Sequence, residues 1–202
     1  MNAFGLTGNI GCGKSTVASL LSQYEDISIL DCDKIAKDLI ATGEHRQQIN
    51  EILGEEVFPE GKVNFGLIAR IIFQNPAKKK LFEELTHPLV WEIVENEVAK
   101  QCTKKICIVE SAIIYETSAE DKFNAVIVTI CEEDEQFRRL HENRRMDYGD
   151  IVARVKNQIP QAVKAHKAQF IIKTNCGMDE LRERVHNLYK ILKKWKEKNY
   201  GN

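Results

Sequence analysis

The stretch Gly8-Asn9-Ile10-Gly11-Cys12-Gly13-Lys14-Ser15 decides the fold. Four residues stand between Gly8 and Gly13, and a Lys and a Ser follow. A short apolar run, Ala3-Phe4-Gly5-Leu6, precedes it, and Thr16 to Gln23 reads as a helix. Strand, glycine loop and helix in that order form the setting of a phosphate-binding loop. Gly8, Gly11 and Gly13 permit tight turns and let backbone N–H groups point inward. The helix start adds its positive end. Gly8 through Thr16 are therefore the candidate nucleotide site. Lys14 is expected to reach the outer phosphates and Ser15 to ligate Mg²⁺.

Four more short apolar runs follow: Ile27 to Leu30 ending at Asp31, Ile106 to Val109 ending at Glu110, Ala125 to Ile130, and Phe170 to Ile172. They are unbroken rather than alternating, as in strands covered on both faces of a parallel sheet. Helical patterns separate them. The expected fold is α/β, a doubly wound five-stranded parallel sheet.

The gap between the second and third strands is too long for a simple crossover. A helical insertion is predicted over 41–100, with apolar faces at Ile49/Ile52/Leu53, Leu67/Ile71/Ile72, Leu81/Leu85 and Val90/Ile93/Val94. It grips an acceptor or is a structural appendage. From 136 to 167 the chain carries Arg138, Arg139, Arg144, Arg145, Arg154, Lys156, Lys164 and Lys167. Such a run reads as a solvated helix face or, beside a phosphate loop, as a lid over phosphates. The core is expected over 1–40, 101–135 and 168–202. Near its end, Met178, Leu181, Val185, Leu188, Leu192 and Trp195 mark one face of a helix packed on the sheet.

The chain has 202 residues, 43% hydrophobic and 29% charged, with a net charge of −1. That balance argues against disorder and against a general nucleic-acid surface. No run reaches the length of a membrane span, and the start reads as a strand rather than a leader. Six scattered cysteines without a Cys-x-x-Cys pair argue against zinc and for a reducing, cytoplasmic setting. Cys107 and Cys131 are expected to pack as small hydrophobes. Cys12, near a helix start, is either oxidation-sensitive or a tolerated small residue.

Asp31-Cys32-Asp33 follows the second strand. Ligands of open parallel sheets bind beyond the strands' carboxyl ends. Two carboxylates there can divide the work: one orients metal-bound water, the other takes a proton from an attacking hydroxyl. Helix capping is the plainer reading, stronger for Asp31 than for Asp33. The acid pair favours phosphoryl transfer to a small molecule over a nucleotide-sensing module.

Gly8 to Ser15, Asp31-Cys32-Asp33, His87-Pro88 and Asn175-Cys176-Gly177 together resemble, in order and spacing, the dephospho-CoA kinase family. So do Phe73-x-Asn75-Pro76 and the span from Arg139-Leu140 through Arg154 and Gln158 to Lys164. The resemblance covers nearly the whole chain. It implies ATP- and Mg²⁺-dependent phosphorylation of the ribose 3′-hydroxyl of dephospho-CoA. By it Asp33 is the base, Lys14 and Ser15 hold phosphate and metal, and Arg139 is a lid arginine. His87 shapes the acceptor site or only satisfies local backbone groups at a helix boundary. Asn175 and Gly177 lie beside adenine or only make a polar turn. Asp31 and Glu110 join Ser15 as candidate metal ligands. A monomer is expected. Another nucleoside or nucleotide kinase is the competing reading.

The chain departs from that pattern in places. Asn9 stands for a usual Gly and Cys12 for a usual Ser. Glu110 to Glu116 lacks the family's Pro. A second lid arginine falls on Asn143, with Arg144 and Arg145 just beyond; either could replace it.

Overall fold

The computed structural model describes residues 1–200. The five apolar runs are strands: β1 (Ala3–Gly8), β2 (Ile27–Asp31), β3 (Ile106–Glu110), β4 (Ala125–Ile130) and β5 (Phe170–Lys173). They form one sheet in the order β2-β3-β1-β4-β5. β1 runs parallel to β3 and β4, and β4 parallel to β5. The register sets Leu6 beside Glu110 on one side and Ile127 on the other. β1 thus lies where strand order reverses, and the phosphate loop leaves its carboxyl end, at the switch point of an open α/β sheet.

Successive residues of β1, β3 and β4 are buried on both faces, which is why their sequences do not alternate. One face presents Phe4, Leu6, Ile106, Ile108 and Ile127 to α1 (Lys14–Leu21) and to a C-terminal helix. The chain returns through α2 (Cys32–Ala41), α3 (Arg46–Leu53), α4 (Phe65–Gln74) and α5 (Pro76–Gln101) between β2 and β3. After β4 come α6 (Glu133–Arg144), α7 (Tyr148–Lys156) and α8 (Gln161–Lys167), and after β5 comes α9 (Met178–Tyr200). The predicted face of α9 buries Leu181, Val185, Leu188 and Leu192, and Trp195 meets Phe4 edge-on at 5.1 Å. Met178 is instead exposed at the helix start. Among the described residues no helix is long and apolar enough to cross a membrane.

The chain divides into two compact units, 1–30 with 98–202 and 31–97. The second takes in α2 and the predicted insertion up to residue 97, and Ile40 of α2 joins Ile49, Leu53, Val57, Phe58, Ile68, Ile71 and Phe82 in one apolar cluster. Gly54 ends α3 in the left-handed region, and Asn64 caps α4 through the Leu67 N–H. On α5 the expected Val90 and Val94 are buried, but the face departs from expectation upstream of them. Leu81 is exposed, and the buried stripe is Phe82, Thr86, Val90, Val94 and Val98, spaced by fours. The Thr86 hydroxyl donates to the Phe82 carbonyl at 2.8 Å, which satisfies it inside that stripe. His87-Pro88 does not mark a helix boundary either: Pro88 sits inside α5. Proline removes one rung of the helix ladder. The buried stripe on both sides holds the helix together across it.

The segment 133–167 belongs to the first unit. Its last helix is anchored by Lys164, which is fully buried. The ammonium donates to Glu116 at 2.7 Å and to the Ala112 carbonyl at 3.0 Å. Glu116 also accepts the Ile159 N–H at 3.1 Å.

Candidate active site

Gly8 ends β1 where a side chain has no room: a Cβ would lie 2.3 Å from Thr129 Oγ1 and 2.5 Å from its carbonyl oxygen. The loop then turns, with the Cys12 N–H donating to the Asn9 carbonyl at 3.1 Å. Gly13, at φ 79°, opens α1 in a conformation that side chains rarely adopt. No side chain caps α1, so its first N–H groups and its positive end face outward.

Beside this helix start lies a cavity of about 380 Å³. Gly11, Gly13, Lys14, Ser15 and Thr16 line it from the loop; Arg138, Arg139, Asn143 and Arg144 line it from α6; and Thr174 and Cys176 line it beyond β5. Backbone donors, one Lys and three Arg around one hollow make a site for a polyanion. Arg144, not Arg145, lines the cavity; Arg145 takes the left-handed cap position of α6.

Two carboxylates hold this cationic wall in place. The Glu135 carboxylate accepts from Arg138 at 2.8 and 2.9 Å and from Arg139 Nε at 2.7 Å. Arg138, then Arg139, hold it at about 2 against the opposing effect of burial. Glu142 takes the remaining Arg138 nitrogen at 2.8 Å. Arg139 spans further, donating to Thr174 Oγ1 at 2.9 Å and to the Thr174 carbonyl at 2.6 Å. Thr174 is buried, and its hydroxyl donates to the Cys12 carbonyl at 3.1 Å. Thr174 therefore joins Arg139 to the phosphate loop, a role no sequence feature had suggested.

The Lys14 ammonium donates to the Gly8 carbonyl at 2.8 Å. It folds back along its own loop, next to the hollow. Ser15 Oγ donates to Glu110 Oε1 at 2.9 Å, across from the end of β3. A hydroxyl and a carboxylate held together are hard oxygen donors of the kind Mg²⁺ takes alongside phosphate oxygens and water.

Cys12 is buried, and its sulfur accepts from the Cys131 thiol at 3.5 Å. That hydrogen bond lowers Cys12 to about 7 against desolvation, helped by the charge of Lys14; Cys131 is pushed far up. Gln161 Oε1 accepts the Cys131 N–H at 3.2 Å and faces the Cys12 thiol at 3.6 Å. Cys12 is thus a packed loop residue with a neighbour of its own kind.

Asn175 donates to Glu132 at 3.1 Å, and Gly177 starts α9 with its carbonyl accepting the Leu181 N–H. Neither lines the cavity; Thr174, Cys176 and Met178 do. In the second unit, Asp31 Oδ1 caps α2, accepting from Asp33 N at 2.9 Å and Lys34 N at 3.1 Å. Asp33 lies exposed in the first turn of α2. His87 is half-buried on α5, and desolvation lowers its pKa, with Glu83 opposing and Lys79 adding to the fall.

Comparison with known proteins agrees with this architecture. The family model for dephospho-CoA kinase matches residues 2–180. A dephospho-CoA kinase of Bdellovibrio bacteriovorus is 31% identical over 205 aligned residues, covering 98% of this chain and 100% of its own. One from Staphylococcus epidermidis is 34% identical over 191, covering 93% and 92%. The solved dephospho-CoA kinase of Campylobacter jejuni superposes with a TM-score of 0.65 at 25% identity, over 95% of this chain and 97% of its own. TT1252 from Thermus thermophilus reaches 0.81 at 26% over 95% and 96%. A shikimate kinase from Bacteroides thetaiotaomicron, at 14% identity and 0.51 over 95% and 98%, shares the fold. With its phosphate loop, cationic cavity and Ser15–Glu110 pair, this chain belongs to the dephospho-CoA kinase family.

Proposed function

We propose that this chain transfers the γ-phosphoryl group of ATP to the ribose 3′-hydroxyl of dephospho-CoA, giving coenzyme A and ADP. The observation that carries the reading is the cavity at the start of α1, walled by Lys14, Arg138, Arg139 and Arg144, in a chain of this family. Phosphoryl transfer asks the protein mainly for positioning and charge stabilisation. The loop from Gly8 to Thr16 holds the phosphates. Lys14 and Arg139 offset charge on the transferring group. Asp33 takes the proton of the attacking hydroxyl as the new O–P bond forms and the bond to ADP breaks. No hydrogen bond or ion pair occupies its side chain among the described residues, which leaves it able to accept.

Ser15 and Glu110 fit Mg²⁺, with Asp31 contributing through the oxygen its helix cap leaves over. When bound, the ion would supply charge neutralisation for the phosphates. His87 shapes the acceptor pocket, burial lowering its pKa and so favouring the neutral ring. Asn175 and Gly177 border the adenine. The segment 136–167 closes over the nucleotide and excludes water. The protein works as a monomer in the cytoplasm, with no nucleic acid and no membrane as partner.

Incubation with Mg²⁺, ATP and dephospho-CoA should give a product heavier by one phosphoryl group. Phosphorylation of nucleosides or nucleoside monophosphates in preference to dephospho-CoA would overturn the acceptor assignment. Hydrolysis without any acceptor product would overturn the transferase reading.

A further inference from the structure

Ile10 stands at the apex of the turn that the Cys12 N–H and the Asn9 carbonyl close. Both of its backbone polar groups are held by side chains far away in sequence. Its N–H donates to Gln158 Oε1 at 2.9 Å, and its carbonyl accepts from Gln136 Nε2 at 2.6 Å. The two glutamines reach it from different elements. Gln136 lies on α6 and is buried; Gln158 follows the end of α7 and is half-buried. Chemistry settles which end of each amide meets the loop. An N–H needs the oxygen of Gln158, and a carbonyl needs the NH₂ of Gln136.

The clasp divides labour within the loop. A phosphate loop works through N–H groups aimed at the anion. The N–H of Ile10 is committed to Gln158, so the donors open to phosphate are those beyond it. Gly11, Gly13, Lys14, Ser15 and Thr16 are the loop residues that line the cavity. Close packing tightens the clasp: a Cβ on Gly11 would lie 3.1 Å from both Gln136 Cγ and the Gln136 carbonyl oxygen. With Ile10 released, the apex could rotate and those N–H groups would lose their common aim.

We propose that Gln136 and Gln158 are positioning residues for the nucleotide: by holding Ile10 at both backbone groups, they preorganise the phosphate loop and tie its shape to the segment 133–167. This deepens the reading of Gly8 to Thr16 as the nucleotide site and rests on it. An unclasped loop must order itself when phosphate binds, and that cost appears as lost affinity.

The test measures ADP binding by calorimetry, and KM for ATP and for dephospho-CoA, in the wild type, Gln158→Met and Gln136→Met. Methionine keeps the length of the side chain and removes its hydrogen bond. Each variant should bind ADP about tenfold more weakly, the loss of one side-chain hydrogen bond to the backbone. KM for ATP should rise in parallel and KM for dephospho-CoA should stay within about twofold. The double variant should lose less than the product of the single losses, because both act on one residue. Ile151→Val, a core change in α7, controls for stability and should lower the melting temperature without weakening ADP binding. Undiminished ADP binding by both glutamine variants overturns the proposal, as does equal weakening in Ile151→Val. Gln136→Met is the variant at greater risk of not folding; Gln158→Met, at a half-buried site, decides alone if it does. No ADP binding by folded wild type would overturn the nucleotide-site reading itself, and this proposal with it.

Discussion

Ser15 Oγ donates to Glu110 Oε1 at 2.9 Å although 95 positions separate them in the chain. The parallel pairing of β1 with β3 brings the two together, since Leu6 lies level with Glu110 and the Ser111 N–H donates to the Leu6 carbonyl. Glu110→Gln keeps the shape and removes the charge. If this pair receives Mg²⁺, the Mg²⁺ concentration for half-maximal rate should rise about tenfold or more. Titrating initial rate with Mg²⁺ checks this; an unchanged midpoint would remove Glu110 from the metal site.

Asp33→Asn should lower kcat by about 10²–10⁴, the usual contribution of a positioned base. ATP affinity should change little. Steady-state kinetics with both substrates varied gives the answer, and a kcat within threefold of wild type would exclude Asp33 as the base.

The Cys12–Cys131 contact gives a pH dependence with a definite sign. Cys12 is lowered to about 7, so its thiolate forms as pH rises through that value. Negative charge within the phosphate loop opposes a polyphosphate. KM for ATP, taken relative to Cys12→Ser at each pH, should therefore rise about three- to tenfold between roughly pH 6 and pH 8.5. A ratio that is flat across this window would mean that Cys12 stays protonated or does not sense the nucleotide.

Gly8→Ala should destabilise the fold as well as the site. Its Cβ would press on both the side chain and the carbonyl of Thr129, and the backbone of a central strand cannot yield easily. Overpacking of this kind costs about 1–3 kcal/mol. In a domain of this size each kcal/mol lowers the melting temperature by about 2–4 °C. Thermal unfolding that matches wild type would show that the strand ends relax around the methyl group.

The strands were legible because burial on both faces leaves an unbroken apolar run, and each of the five ends where sequence placed it to within a residue or two. The loop was legible because its glycines and Lys14-Ser15 are local chemistry. Leu81 misled because a helix face is read from spacing. Spacing alone does not distinguish Leu81 from Phe82 as the side that finds a neighbour. Pro88 misled for a related reason: a broken rung is a local cost, and the packing that offsets it is not local. Thr174, Gln136 and Gln158 left no trace of their roles. Each makes hydrogen bonds to backbone across more than 100 positions, and nothing in a polar residue's neighbours foretells which distant N–H or carbonyl it will meet. Asp31 carried both readings, and capping is the one its geometry displays.

Lys164, with no exposed surface, roots α8 to the chain that follows β3. Removing the Glu116 charge would strand a fully buried ammonium, at about 3–5 kcal/mol. The pin sits at the far end of the arginine-bearing segment, so α8 belongs to the stationary floor rather than to any swinging part. If the segment closes as proposed, its pivot lies upstream of Gln161. Amide exchange should accordingly be slower across 161–167 than across 148–156, and equal rates would mean the whole arm unfastens together.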